Sequence, residues 1–225
     1  MRPNLNTVKI KRPARGAARS RRPYHHGDLP EKLVAVAEAV IRERGVDGFS
    51  LREAVRRAGV SPAAPAHHFG DARGLLSEVA LRGFREFGDA LAAADTRGGG
   101  DPAKRLYEQG LAYVGFALRH PARFQLMFRP GKYDVTYKDL AAASERAYRV
   151  LEDAIRAAMG LTPDQPMTDD ANGYLMAVWS VVHGFAHLAL GEELTRPTRG
   201  RGGKDQILKT LLPLMLKFLP RPRRS

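Results

Sequence analysis

Cysteine is absent from the 225-residue chain. That absence removes disulfides, thiolate metal sites, cysteine nucleophiles and thiol redox sensing together. Alternating strand-type hydrophobicity is lacking, as is any internal repeat, so the chain reads as all-α. No apolar h-region follows Met1, which argues against a secretory signal and for the cytoplasm. No Gly-rich phosphate loop, nucleophile elbow or convincing carboxylate pair occurs, so the common catalytic motifs are missing. His183 and His187 have the i, i+4 spacing of a helical zinc pair, but Gly184 stands where a zinc protease needs its glutamate base. A non-catalytic metal pair is the only metal reading left; no enzyme, cofactor or metal is expected.

Two further absences are local. Residues 1–24 contain no acidic residue but carry Arg2, Lys9, Lys11, Arg12, Arg15, Arg19, Arg21 and Arg22, against a formal net charge of +13 for the whole chain. Such an arm cannot bury a core and is expected to order only against a polyanion, most simply nucleic acid. Residues 171–191, "ANGYLMAVWSVVHGFAHLALG", contain no Asp, Glu, Lys or Arg. The length suits a bilayer span. Asn172, Ser180, His183, His187 and three glycines, in a segment that stands alone, instead predict a helix buried within the protein or between subunits, with no membrane partner.

What is present, 44% hydrophobic and 27% charged residues, is the composition of a globular protein with a packed core. Asp28 can cap a first helix, with Pro30 in its first turn, Glu31 at the capping-box position and Leu29, Leu33, Val36, Ala37 and Val40 as its apolar stripe. Gly45 ends it. In "SLRE", Ser50 and Glu53 form a second capping box before a helix that buries Leu51, Ala54, Val55 and Ala58 and closes at Gly59. Ser61 followed by Pro62 predicts a short third helix to about Phe69, and a longer one is expected from Asp71 to Ala94. "DTRGGGDP" then breaks the chain and reads as a junction. Further helices are predicted near 102–119, 138–159, 169–193 and 205–219.

The stretch "GVSPAAPAHHFGD", residues 59–71, is poor in large side chains. A helix, a glycine turn and a second short helix make a helix-turn-helix, whose second helix enters the DNA major groove. Small residues such as Ala63 and Ala66 permit close approach, while Ser61 can donate to phosphate. "FSLREAVRRAGVSPAAPAHHFGDARGLL" resembles the DNA-binding signature of the TetR family of bacterial transcription regulators, and "YHHGDLPEKLVAVAEAVIRERG" is similar to that domain's first helix. "FALRHPARFQLMF" and "VWSVVHGFAHLAL" resemble the family's ligand-binding half in the subgroup with a Trp-His-Gly motif, here Trp179, His183 and Gly184.

The resemblance implies a basic arm over 1–24, a three-helix DNA-binding domain over 25–80 and a ligand-binding and dimerisation bundle over 81–225. Its implied DNA contacts are Arg52, Ser61, Pro62, Ala63, Ala66, His67, His68 and Arg73, with Arg21 and Arg22 of the arm. Where the family commonly has a phosphate-contacting tyrosine this chain has Ala66, and where a lysine is common it has Ala72; His67 and Arg73 are the candidate replacements. No Arg, Asn or Gln lies between Ser61 and Phe69 to read a base edge bidentately. Residues 25–73 carry seven basic and seven acidic side chains, a formal charge of zero.

The partners implied are a double-stranded DNA operator, an unidentified small-molecule effector and a second copy of the chain. Tyr113, Phe116, Phe124, Met127, Phe128, Tyr148, Met176, Trp179 and His183 are the candidate effector pocket, since such sites are apolar with a few polar groups. Each also suits ordinary core packing. Gly184, in a helix chosen for bulk, permits close approach of another helix, and Leu188, Leu208, Leu212 and Met215 supply the dimer stripe. The implied function is a regulator, most often a repressor, released from a palindromic operator by its effector. An architectural DNA-coating protein without an effector is the alternative.

Overall fold

The computed structural model describes residues 28–191, 194 and 204–218, and every regular element among them is helical. They form α1 (Asp28–Arg44), α2 (Leu51–Ala58), α3 (Ala64–Phe69), α4 (Ala72–Gly98), α5 (Pro102–Arg119), α6 (Pro121–Met127), α7 (Leu140–Met159), α8 (Asp169–Leu190) and α9 (Lys204–Lys217). Arg21 and Arg22, with the rest of the arm, lie outside the described residues.

α1 buries Leu33, Ala37 and Val40, as its period predicts, and also Val34 and Ile41. Gly59 closes α2 at φ +63°, donating its N–H to the carbonyls of Val55 and Arg56. Only glycine takes that left-handed conformation without steric cost. The expected capping box does not form: Ser50 has extended cap geometry but no side-chain cap bond. Glu53 instead binds Arg56 at 2.9 and 2.8 Å and Arg57 at 2.7 Å. Charge-assisted bonds to guanidinium outcompete one neutral amide, and they hold the Glu53 carboxyl at about 2. Glu31 likewise turns to Arg82 of α4 at 2.7 Å.

α3 begins at Ala64 rather than at Pro62. A helix capped by Ser61 and starting at Pro62 would require an N–H from Pro65 to the Ser61 carbonyl, and proline has none. Ala64 N–H takes that carbonyl at 3.1 Å as a turn, and Pro65 sits in the first helical turn, buried. α4 runs to Gly98, past the expected end, because Asp95 in its last turns is clamped by Arg105 of α5 at 2.7 and 2.9 Å. α4 also crosses the expected boundary at residue 80. Its first half packs on α1 and α3, its second on α5 and α7, and one continuous apolar cluster reaches from Leu33 to Leu212. The helix α6 was not expected; its seven residues bury Ala122, Phe124, Leu126 and Met127, too short a run to show a period. α8, uncharged after Asp169 and Asp170 in its first turn, packs on α5, α7 and α9.

Candidate DNA-binding face and ligand cavity

Ser61, Pro62, Ala63, Ala66, His67 and His68 are all exposed, so α3 and its leading turn present an almost smooth surface. The two imidazoles stack with centroids 5.4 Å apart. Arg52 and Arg73 are exposed as well, and neither forms an ion pair among the described residues. The surface is held from behind: Pro65 is buried, Phe69 packs into the core, and Asp71 caps α4 by accepting the Gly74 N–H at 2.8 Å. A surface of this relief suits the floor of a major groove, with its cations at either end of the motif.

A cavity of about 310 Å³ lies among α4, α5, α7 and α8. Phe84, Phe87 and Leu91 line it from α4, and Leu106, Gln109, Gly110 and Tyr113 from α5. Met127, Phe128, Pro130 and Tyr133 close one side; Ser144, Ala147, Tyr148 and Leu151 of α7 and Val178, Trp179 and Val182 of α8 complete it. Of the residues expected here, Tyr113, Met127, Phe128, Tyr148 and Trp179 line the cavity. Phe116 and Phe124 do not: both are fully buried behind the wall, Phe116 tilted against Phe87 at 5.1 Å and Phe124 edge-on to Tyr113 at 5.7 Å. Met176 is 52% exposed, because the inward positions of α8 are Leu175, Val178 and Val182. His183 sits one bond behind the wall.

That bond organises the aromatic side. Trp179 Nε1–H donates to Tyr113 Oη at 3.2 Å, and the Tyr113 hydroxyl shares a hydrogen bond with His183 Nδ1 at 2.7 Å. Burial raises the Tyr113 phenol, while burial and then the neighbouring His187 lower His183, so both shifts favour the uncharged forms.

A model of bacterial regulatory proteins of the tetR family matches residues 33–79, and a tetracyclin repressor-like C-terminal domain matches residues 106–211. Together they take in more than half of the chain. It belongs to the TetR family of bacterial transcriptional regulators. YobS of Bacillus subtilis (strain 168), an uncharacterised helix-turn-helix regulator, is 30% identical over 98 residues, 43% of this chain and 50% of YobS. The matched segment is thus half that relative's length. A protein of unknown function from Rhodococcus sp. RHA1 is 30% identical with a TM-score of 0.66, over 88% of this chain and 98% of that one. PfmR, a TetR family regulator from Thermus thermophilus, shares the fold at 18% identity and a TM-score of 0.58, over 84% and 96%.

In a TetR-family chain the last two helices are the expected dimer face, and the candidates divide. Gly184 and Leu188 are exposed, with nothing within 4 Å of a Cβ built on Gly184. Leu212, expected on that face, is instead fully buried inside the chain, where no second molecule can meet it. Met215 packs partly against the same core. The side chain of Leu208 falls outside the described residues. Sequence reasoning missed Phe84, Phe87, Tyr133 and Gln109 in the cavity; a glutamine in the apolar stripe of α5 was the one available signal.

Proposed function

We propose that this TetR-family protein is a homodimeric repressor that holds a palindromic operator and releases it when a small molecule enters the cavity. Trp179, His183 and Gly184 are, on this reading, the marks of the Trp-His-Gly subgroup. The observation that carries effector release is one short stretch of chain with two jobs. Met127, Phe128, Pro130 and Tyr133 line the cavity, while Arg129 and Lys132 between them pair with Asp47 at 2.9 and 2.7 Å. Asp47 lies in the turn that joins α1 to α2 of the helix-turn-helix. A molecule that packs better against a shifted stretch therefore biases the position of the DNA-binding unit, and only such a difference in affinity can shift the equilibrium.

Dimerisation is supported by exposed apolar side chains on α8 and α9: Met176, Leu188 and Leu214 are 52%, 44% and 47% exposed, beside Gly184. A two-fold pair built on that face sets two recognition helices about one DNA turn apart, ~34 Å. The test is selection of genomic DNA by the purified protein, then footprinting. Discrete palindromic sites are expected; uniform coverage overturns the reading in favour of DNA coating. A compound screen against the recovered operator tests release, and effectors that bind without changing operator affinity overturn that part.

A further inference from the structure

The chemistry of the cavity wall defines what it accepts, given the reading of the cavity as an effector site. None of its lining residues is Asp, Glu, Lys, Arg or His, and the aromatic network at one end is held neutral. An ion entering this space would leave water with no partner of opposite charge, which is prohibitively unfavourable. The volume, about 310 Å³, is roughly ten times the ~30 Å³ share of a liquid water, so it holds on the order of ten to fifteen non-hydrogen atoms.

One wall group is unfinished. Gln109 is 4% exposed and its Nε2 donates to Asp95 Oδ1 at 2.7 Å and to the Val150 carbonyl at 3.1 Å. Both partners only accept, and Asp95 is itself fixed by Arg105, so the amide cannot turn over without setting its oxygen against two acceptors. The Oε1 that remains has no hydrogen-bond partner and is covered, out of reach of a water molecule, just behind the wall that Gln109 helps to form. Ser144 and Tyr148 can donate or accept, whereas this oxygen accepts only. We propose that the cavity takes an uncharged, largely apolar molecule bearing an O–H or N–H group, whose entry displaces the packing over Gln109 so that Oε1 accepts that proton.

Three probes of one shape separate the terms: 4-propylphenol, neutral with a donor; 4-propylanisole, neutral without one; and 4-propylbenzoate, charged. Calorimetric titration of the full-length wild-type protein should show the phenol binding about tenfold tighter than the ether, with no measurable binding of the benzoate. In Gln109→Met, which removes the oxygen and keeps the length, the preference for the phenol should fall to about one while the ether still binds. Ser144→Ala and Tyr148→Phe should keep the preference. The wild-type comparison needs no variant, so it stands if Gln109→Met fails to fold. Equal binding of phenol and ether, binding of the benzoate at the phenol's strength, a preference that survives Gln109→Met, or no binding by any probe overturns the proposal. Operator release is measured separately by fluorescence anisotropy. Phenol that binds with the expected preference but leaves DNA affinity unchanged overturns the effector reading and leaves the cavity's chemistry standing.

Discussion

Replacing Gly74 with alanine inserts a methyl group where the backbone of the preceding helix already lies. A Cβ built there meets the Phe69 carbonyl oxygen at 1.8 Å and its carbon at 2.9 Å. Phe69 ends α3 and Gly74 lies in the first turn of α4, so the contact is the joint that seats the recognition helix. Both obstacles are main chain, and no rotamer change relieves them. Restoring ordinary contact at 3.4 Å moves α3 against α4 by about 1.5 Å, well beyond the ~0.5 Å tolerance of a hydrogen bond. Overpacking a site this rigid costs about 1–3 kcal/mol of stability. Losing two polar DNA contacts at about 1 kcal/mol each in both subunits, about 4 kcal/mol together, reduces affinity on the order of 1,000-fold. Fluorescence anisotropy on a selected DNA site and thermal denaturation read the two losses. Gly100→Ala, with nothing within 4 Å of the new methyl, is the control and should change neither. Wild-type affinity and melting temperature in Gly74→Ala would refute the claim that this joint sets the recognition helix.

Leu188→Glu should yield folded monomer by sedimentation, whereas Leu212→Ala should lose about 2–5 kcal/mol of stability because that side chain is wholly internal; a dimeric, fully stable Leu188→Glu protein would move the interface elsewhere. Arg52→Ala and Arg73→Ala should each lower the slope of log affinity against log salt by about 1.8 in the dimer, two phosphates at ~0.9 each, and an unchanged slope would show that the side chain does not touch phosphate. Burial lowers both His183 and His120, the latter against the opposing pull of Glu86. The unfolded chain therefore takes up protons first as pH falls through about 6.5. Stability should be complete above that pH and decline toward pH 5.5, before the carboxylates titrate. The double variant His183→Gln, His120→Gln should flatten the decline, and an identical decline in both proteins would assign it to other groups.

How far the sequence alone reached depends on the range over which each feature is decided. The ends of α1, α2 and α5 follow from caps, glycines and period, all within a few residues of one another. The start of α3 was misplaced because Pro62 and Pro65 both suit a first helical turn, and only the carbonyl of Ser61 decides between them. The aromatic residues of the cavity were recognisable as a group, but wall and interior were not. Phe116 and Tyr113 lie three apart on α5, yet Phe116 is fully buried against Phe87 of α4 while Tyr113 bonds to Trp179 of α8 and borders the cavity. Leu212 carries the same composition signal as Leu188; which one meets a partner depends on how α9 rolls against α5 and α8. The Gln109 oxygen became visible only when the bonds to Asp95 and Val150, on two other helices, were known.

The same difference in range resolves the charge of the DNA-binding unit. By count, residues 25–73 are neutral, which leaves the attraction to phosphate unexplained. Three of the acids, however, are matched by cations from beyond that window: Glu31 by Arg82, Glu38 by Arg123, and Asp47 by Arg129 and Lys132. Glu43 and Glu53 are held by Arg57 and Arg56 within it, and Asp71 is turned onto the start of α4. Exposed ion pairs of this kind add little stability, but they cancel the negative field on the side of the unit that faces the bundle. Lys32, Arg42, Arg52 and Arg73 are exposed and outside every ion pair among the described residues, and Arg52 and Arg73 lie on α2 and α4, the helices on either side of the small-residue surface of α3. The unit is therefore neutral in formal charge and positive in the field it offers DNA, because the groups that silence its acids are supplied by α4, α6 and the stretch behind the cavity.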